Sequence, residues 1–294
     1  MRSRYSNLER PGLDEAGLRE ALCSPRGPFS RLDLLEATGS TNTDLAGHAT
    51  EEPAAWPDLS VLTAEEQTAG RGRMERTWTA PERSSLIVSV LLRPHNSEGR
   101  PLPTQSYAWM SLLAALALSE SIEERTEISP QLKWPNDVHV DGRKLAGVLA
   151  QLVPGANGEP PAVVVGTGVN VSLTDQELPV PTATSLLLEY AATTDRNVLL
   201  KAYLRRLEAH YREFTAVDGD ASRPWRDGTS LLTRVSARMA TLGQDVQADL
   251  PNGSIITGRA MNLDPHGALV VRDEDGERHT VSAGDVVHLR PLTR

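Results

Sequence analysis

Hydrophobic and polar positions along this chain predict helices and strands in mixed order, followed by a run of short strands. Leu13–Leu22 has the spacing of one short helix. RLDLLEATGSTN (31–42) predicts a strand that ends in turn residues. There Ser40, Thr41 and Asn42 form the cap of a short helix running through Ala49. LSVLTAEEQ (59–67) predicts a strand running into a Gly/Arg loop, and SSLIVSVLLRP (84–94) a strand stopped by proline. Gln105–Glu124 is apolar almost all round, as a buried central helix requires. KWPNDVHVDGRKLAGVLAQLV (133–153) predicts two strands joined at Asp141-Gly142, and AVVVGTGVNV (162–171) a further strand. Asn197–Phe214 places Leu200, Tyr203, Leu204, Leu207, Tyr211 and Phe214 on one helical face. Near Leu231–Arg234 the period changes. The remaining residues predict short strands with turns at Asn252-Gly253, His266-Gly267, Asp275-Gly276 and Ala283-Gly284, the rhythm of a small β-barrel. Weak order is expected at the N-terminus and over 95–103 and 154–161.

Composition narrows the classes. With 294 residues, 39% hydrophobic and 23% charged, the chain has an ordinary globular balance and the length for two domains. A net charge of −9 argues against coating a polyanion, although a local basic pocket remains compatible with it. One cysteine, Cys23, excludes a disulfide framework and a cysteine-based zinc site. The seven histidines form no metal-binding spacing, and no GxSxG elbow supplies a nucleophile. No uninterrupted apolar run reaches membrane-spanning length. The N-terminal arginines precede no apolar segment, so a cytoplasmic protein is expected.

Three segments carry candidate chemistry. Gln67–Trp78 (QTAGRGRMERTW) sets Arg71, Arg73 and Arg76 among Gly70 and Gly72. Forked donors on a bendable backbone suit a carboxylate or phosphate, and a solvated basic loop is the plain alternative. Its spacing is neither a P-loop nor a dinucleotide fingerprint. Lys133 precedes Trp134-Pro135-Asn136-Asp137, where an ammonium could bridge two anions or simply cover a core tryptophan. Gly166-Thr167-Gly168-Val169-Asn170 permits close backbone approach, with Asn170 able to read a base edge, or it marks a β-bulge.

Taken together, STN, QTAGRGR with R-W, KWPND, KLAGVL, GxGxN, GALVV and GDVVHLR, in that order, resemble the biotin–protein ligases over residues 31–294. The resemblance implies an α+β fold: a mixed sheet with flanking helices, like the class II tRNA-synthetase domain, then an SH3-like barrel. It implies a short N-terminal extension at 1–30, a catalytic domain at 31–233 and the barrel at 234–294. It further implies two reactions. Biotin carboxylate attacks the α-phosphate of ATP, giving biotinyl-5′-AMP and pyrophosphate. A lysine of a biotin carboxyl carrier domain of an acyl-CoA carboxylase then attacks the mixed anhydride and releases AMP.

By the same resemblance, Lys133 stands between carboxylate and phosphate as main electrostatic catalyst, and Arg71 and Arg73 close over the biotinyl-phosphate region. Ser40, Thr41, Asn42, Gln67, Gly70 and Gly72 line the biotin end, where Lys133, Arg71 and Arg73 also reach. Arg76, Trp78 and Asn170 serve the nucleotide. Magnesium is expected with ATP, with no assignable protein ligands. No membrane or DNA partner is expected, and either a monomer or a homodimer fits. The sequence departs from the family pattern at Glu75, where a third loop glycine is usual, and at Gln151, where an acid is common. A lipoate- or octanoate-protein ligase and a biotin-sensing transcription regulator are the competing readings.

Overall fold

A strand buried on both faces carries mainly aliphatic residues, and SLIVSVLL, with two serines among six aliphatic residues, is buried along its whole length. In the computed structural model, which describes residues 10–155, 158–286 and 288–291, it lies inside a seven-stranded sheet. In chain order the first part comprises α1 (Glu15–Leu22), β1 (Arg31–Leu35), α2 (Thr41–Glu51), β2 (Ser60–Ala64), β3 (Gly70–Arg71), β4 (Thr77–Trp78) and β5 (Ser85–Leu92). Then come α3 (Trp109–Thr126), β6 (Gln131–Lys133), β7 (Asp137–Val140), β8 (Arg143–Val153), β9 (Ala162–Asn170), α4 (Arg196–Ala216) and α5 (Leu231–Arg238). The large sheet has the order β1-β2-β5-β9-β8-β7-β6. Only β1 and β2 run parallel; the other neighbours are antiparallel. This is the mixed sheet with flanking helices that the sequence implied. Helix α2 lies against β5, β8 and β9, while α3 packs against α4 and α5 as well as the sheet.

The C-terminal part is a five-stranded antiparallel sheet of β10 (Asp245–Asp249), β11 (Ile255–Leu263), β12 (Leu269–Arg272), β13 (Arg278–Val281) and β14 (His288–Pro291), ordered β13-β12-β11-β10-β14. Two indoles, one at the start of α3 and one between β6 and β7, tie it to the larger part. Trp109 Nε1 donates to Pro265 O at 2.8 Å, and Trp134 Nε1 to Gly267 O at 3.0 Å. Buried indole N–H groups need such partners, so these bonds fix where the small sheet sits.

Several local expectations change. A 3-10 turn, Thr104–Ala108, precedes α3, which then continues to Thr126. The segment read as the start of the barrel is instead helix α5, capped by Ser230, whose side chain accepts from Thr233 N. The expected boundary at 233/234 therefore falls inside a helix. Residues 95–103 form a tied loop, with Asn96 Oδ1 accepting from the backbone of Glu98 and Arg100. The last anticipated turn is a 3-10 turn, Ala283–Asp285.

The residues ahead of β1 also pack closely. Leu13 N donates to Glu65 Oε1 at 2.6 Å, and Arg196 Nη2 reaches both Pro11 O at 2.9 Å and Glu65 Oε2 at 2.6 Å. Glu65 and Arg196 are both buried, and a carboxylate and guanidinium so far from water must be paired. The pair ties the N-terminal segment to the base of the loop that carries Gln67 and the arginines.

Candidate active site

The site begins as a space left by missing side chains. Side chains directly opposite each other on antiparallel strands share a face. One row across the large sheet reads Ala64, Ile87, Gly168, Gly147, Asp137, Lys133. The next row on that face reads Leu62, Ser89, Gly166, Leu149. Three adjoining positions are glycine, so the sheet has a bare patch beneath the start of α2. A Cβ on Gly166 would lie 2.1 Å from Asn42 Oδ1, and one on Gly168 would lie 2.7 Å from Trp78 Cε2. Both glycines are there because neighbouring atoms come that close.

The N-terminus of α2 covers the patch. Ser40 is its cap, and Ser40, Thr41 and Asn42 are all buried. Thr41 donates to Gln67 Oε1 from its backbone N at 2.8 Å and from Oγ1 at 3.0 Å. Asn42 Nδ2 donates to Leu149 O at 3.1 Å. Ser40, Thr41, Asn42, Gln67, Arg71 and Trp78 line a cavity of about 40 Å³ with these glycines. That is room for a few waters. The Trp78 ring fills much of the remaining space against Gly168 and Gly147, and its Nε1 is buried without a hydrogen-bond partner.

Lys144 enters the site through a β-bulge. Strict alternation along β8 would turn Lys144 and Gly147 to opposite faces. The β7/β8 register shifts between Val138 and His139, so His139 pairs with Lys144 while Val138 pairs with Ala146. Leu145 is the extra residue, and the shift returns Lys144 to the face of Asp137 and Gly147. Re-aiming a side chain is a common consequence of a bulge. Lys144 Nζ donates to Asp137 Oδ1 at 2.7 Å and lies 5.8 Å from the centre of the Trp78 ring. Burial opposes ionisation of Asp137, but the His139 ring and the Lys144 ammonium outweigh it and hold the carboxyl below its usual range. Asp137 is therefore a carboxylate at neutral pH. The segment beside β8 fixes the Lys144 backbone, with Lys144 N donating to Thr182 O and Thr184 N to Lys144 O, both at 2.8 Å.

The Gly/Arg loop is a short hairpin of β3 and β4, with Gly70 opposite Trp78. A Cβ on Gly70 would meet Trp78 O at 2.3 Å, which requires glycine. The left-handed residue of the loop is Met74 (φ 53°), not Glu75, whose side chain lies outside the described residues. Arg73 does not reach toward the small cavity. Its Nη2 donates to Ala283 O and, at 2.9 Å, to Val286 O, joining the loop to the C-terminal sheet. Burial pushes the Arg73 pKa down, with Asp137 opposing and Arg76 adding to the shift. A second cavity, of about 500 Å³, lies between Arg73, Met74, Tyr107, Asn136, Leu152 and Ala283.

The structure thus gathers Ser40, Thr41, Asn42, Gln67, Arg71 and Trp78 around the small cavity, with Gly70 behind them against Trp78 and Gln67. Gly72 and Arg73 border the larger one. Arg76 is exposed, and its carbonyl accepts from Gly72 N. Two expected residues stand apart. Lys133, at the outer end of its row, lines neither cavity. Asn170 is buried at the end of β9 with Nδ2 donating to Thr184 O at 2.9 Å, and it too lines neither cavity. The sequence reading gives Gly166 and Gly168 as places of close backbone approach but leaves out Gly147, Lys144 and Asp137. The KLAG and GTG glycines were the available signal for the patch. Gln151 is an exposed residue of β8. Among the described residues no group of three His, Cys, Asp or Glu side chains could hold a metal ion.

Comparisons with known proteins extend this geometry. A profile of the Biotin/lipoate A/B protein ligase family matches residues 34–170, and one of the Biotin protein ligase C terminal domain matches residues 241–289. The chain is 40% identical over 285 residues to the biotin--[acetyl-CoA-carboxylase] ligase of Mycobacterium tuberculosis, which covers 96% of this chain and 97% of that protein. It is 30% identical over 260 residues to the protein of the same name from Paracoccus denitrificans, across 86% of this chain and 98% of that one. The structure of biotin protein ligase from Aquifex aeolicus in complex with biotin and ATP matches with a TM-score of 0.68 at 27% identity, over 90% of this chain and 100% of that one.

Proposed function

We propose, from the premise that this chain belongs to the biotin/lipoate A/B protein ligase family, that it is an ATP-dependent biotin–[acetyl-CoA-carboxylase] ligase. The observation that carries this reading is the polar-ended, glycine-floored cavity beside Lys144, in a chain alike over nearly its whole length to ligases of that name. The ureido ring of biotin would meet Ser40, Thr41, Asn42 and Gln67. Its carboxylate would then point along the Gly147 side toward Lys144 and Arg71.

Adenylation joins two anions. Two like unit charges 4 Å apart repel by about 4 kcal/mol at an effective dielectric constant of 20. A fixed ammonium at the junction lowers that cost without reorganising. Lys144, held by Asp137, fits this task better than Lys133. Lys133 lies farther along the row, where it suits the outer phosphates. Trp78 would leave the glycine patch when biotin enters and offer its face to adenine; Arg76 and Asn170 belong to the nucleotide end of this reading. Magnesium would arrive with ATP, held largely by phosphate oxygens and water. The enzyme needs no nucleophile of its own, because the amine comes from a lysine of the biotin carboxyl carrier partner.

The competing readings lose support on particular residues. A lipoate ligase needs a long apolar tunnel, whereas this cavity ends in hydroxyls and amides. Residues 10–30 make one short helix and a turn packed on the large sheet, not a three-helix unit for a DNA groove, so DNA is no part of the proposal. No helix among the described residues is long and apolar enough to cross a membrane. A cytoplasmic enzyme, monomeric or homodimeric, is proposed, with the catalytic unit ending near α5 and the small sheet following.

The test is one assay with ATP, magnesium and labelled biotin. Without carrier, release of one pyrophosphate per site is expected; with carrier, label on the carrier lysine. Activation of lipoate in place of biotin would overturn the reading. A second expectation concerns the loop. Arg73→Gly removes the donors that tie the loop to Ala283 and Val286, and hydrogen bonds from a charged group contribute about 1.5–3 kcal/mol each. The variant is expected to form biotinyl-adenylate but to release it at least about tenfold faster than the parent. Dissociation of preformed adenylate, followed after dilution, checks this; equal rates would remove the loop's sheltering role.

A further inference from the structure

The proposed reaction leaves one buried histidine unused, and it stands beside the carboxylate that holds Lys144. His139 lies on β7, opposite Lys144 on β8 and Gln131 on β6. Its Nδ1 is 3.0 Å from Gly142 O. A carbonyl only accepts, so Nδ1 carries a proton whether the ring is neutral or charged. The nitrogen that changes is Nε2. It is buried, makes no hydrogen bond and lies 3.9 Å from Asp137 Oδ2, while Lys144 Nζ donates to Asp137 Oδ1 at 2.7 Å. A neutral ring therefore turns a lone pair to that carboxylate, and a charged ring turns an N–H to it. Imidazole changes charge between about pH 5 and 8, so Asp137 serves one close cation or two within that range. The other charged groups around Asp137 are Lys133, opposite it on β6, and Arg73 of the loop. Arg143, beside Lys144 in β8, is paired with Glu189 at 2.7 Å, and Asp141 in the turn is exposed.

We propose that His139 is a positioning residue that sets, through Asp137, how much of the Lys144 charge is free for the reacting anions. This rests on the biotin and ATP reading above and deepens it. With the ring neutral, the charges of Lys144 and Asp137 cancel. With the ring charged, one positive charge is left over, and Asp137 is shared between two cations instead of drawing on Lys144 alone. One added unit of charge roughly 10 Å from an anion, at an effective dielectric constant of about 20, speeds a step that gathers anions there about tenfold. The joining of biotin carboxylate to the α-phosphate is therefore faster on the acid side of the His139 titration.

The test measures biotin-dependent pyrophosphate release as kcat/KM for biotin, at saturating ATP and magnesium, between about pH 6 and pH 8. The parent is compared with His139→Gln, which keeps a polar side chain there but does not titrate. Titration of ATP is common to both proteins, so the parent-to-variant ratio is read. That ratio is expected to rise about tenfold from the alkaline to the acid end. A ring that only braces the turn at Gly142 gives one ratio at every pH, and a constant or falling ratio would overturn the proposal. Nitrogen NMR of the imidazole in the unmutated protein is the second measurement, and it does not depend on the folding of the variant. Over the same range His139 Nε2 is expected to gain a proton while Nδ1 keeps its own. A ring that stays in one form throughout would overturn the positioning role and leave the biotin reading intact. A parent that releases no pyrophosphate with biotin at any pH would overturn that reading and this inference with it.

Discussion

Lys144→Ala is expected to slow biotinyl-adenylate formation by about 100- to 1000-fold, the range seen when one preorganised group that offsets developing charge is removed. The reason is local. Lys144 is directed onto the Gly147 patch by the bulge at Leu145, its ammonium is fixed by Asp137, and its backbone is held on both sides by Thr182 and Thr184. Alanine leaves Asp137, a carboxylate held below its usual pKa range, facing the junction of two further anions. The loss should therefore exceed that of a missing cation alone. Biotin binding without nucleotide should change far less, since the polar end at Asn42 and Gln67 is untouched. Lys133→Ala should act mainly on ATP affinity, by less than about tenfold, as expected of a partly screened contact to an outer phosphate. Single-turnover pyrophosphate release, with biotin affinity measured separately, distinguishes the two. If Lys133→Ala removed the chemical step and Lys144→Ala spared it, the assignment would be reversed.

That contrast shows what the chain's pattern could and could not disclose. The buried strands, the all-round apolar helix α3 and the turn-punctuated small sheet follow from periodicity, because burial imposes period 2 or 3.6 directly on residue type. The loop arginines and the STN cap were legible for a similar reason: glycine, charge and capping residues mark their local conformation. The direction of Lys144 was not. Period 2 turns it away from Gly147, and one extra residue in the β7/β8 ladder turns it back. No residue type in RKLAG announces that bulge. Lys133 takes its expected role from the family resemblance, and the rigid Trp-Pro beside it says nothing about distance from the cavity. Arg73 was legible as a cation but not as a latch. Its partners are the carbonyls of Ala283 and Val286, more than two hundred residues onward, and backbone acceptors leave no mark in sequence.

The glycine patch leads to the second large expectation: Gly166→Ala should reduce biotin affinity by at least about 100-fold while the protein stays folded. The new methyl would sit 2.1 Å from Asn42 Oδ1 and 2.6 Å from its Cγ. A surface side chain could swing aside, but Asn42 cannot do so freely. Its Nδ2 is bound to Leu149 O and its Oδ1 to Ser89. Moving it breaks both bonds, which costs the fold about 1–3 kcal/mol each, and takes the amide away from biotin; about 3 kcal/mol of lost contact corresponds to the stated loss. The strand itself should survive, because alanine is tolerated in extended backbone and Gly166 does not use a positive φ. A melt that stays cooperative and above the assay temperature, lowered only by those broken bonds, together with lost binding, would therefore assign the effect to the pocket. The decisive comparison is made in an Asn42→Ala background. There the three atoms nearest the methyl are gone, so Gly166→Ala should cost much less on top of Asn42→Ala than it does alone, a coupling of the kind contacting residues display. Parental biotin affinity in the single variant would mean that Asn42 is not fixed where the hydrogen bonds hold it. The whole polar end of the site would then need another occupant.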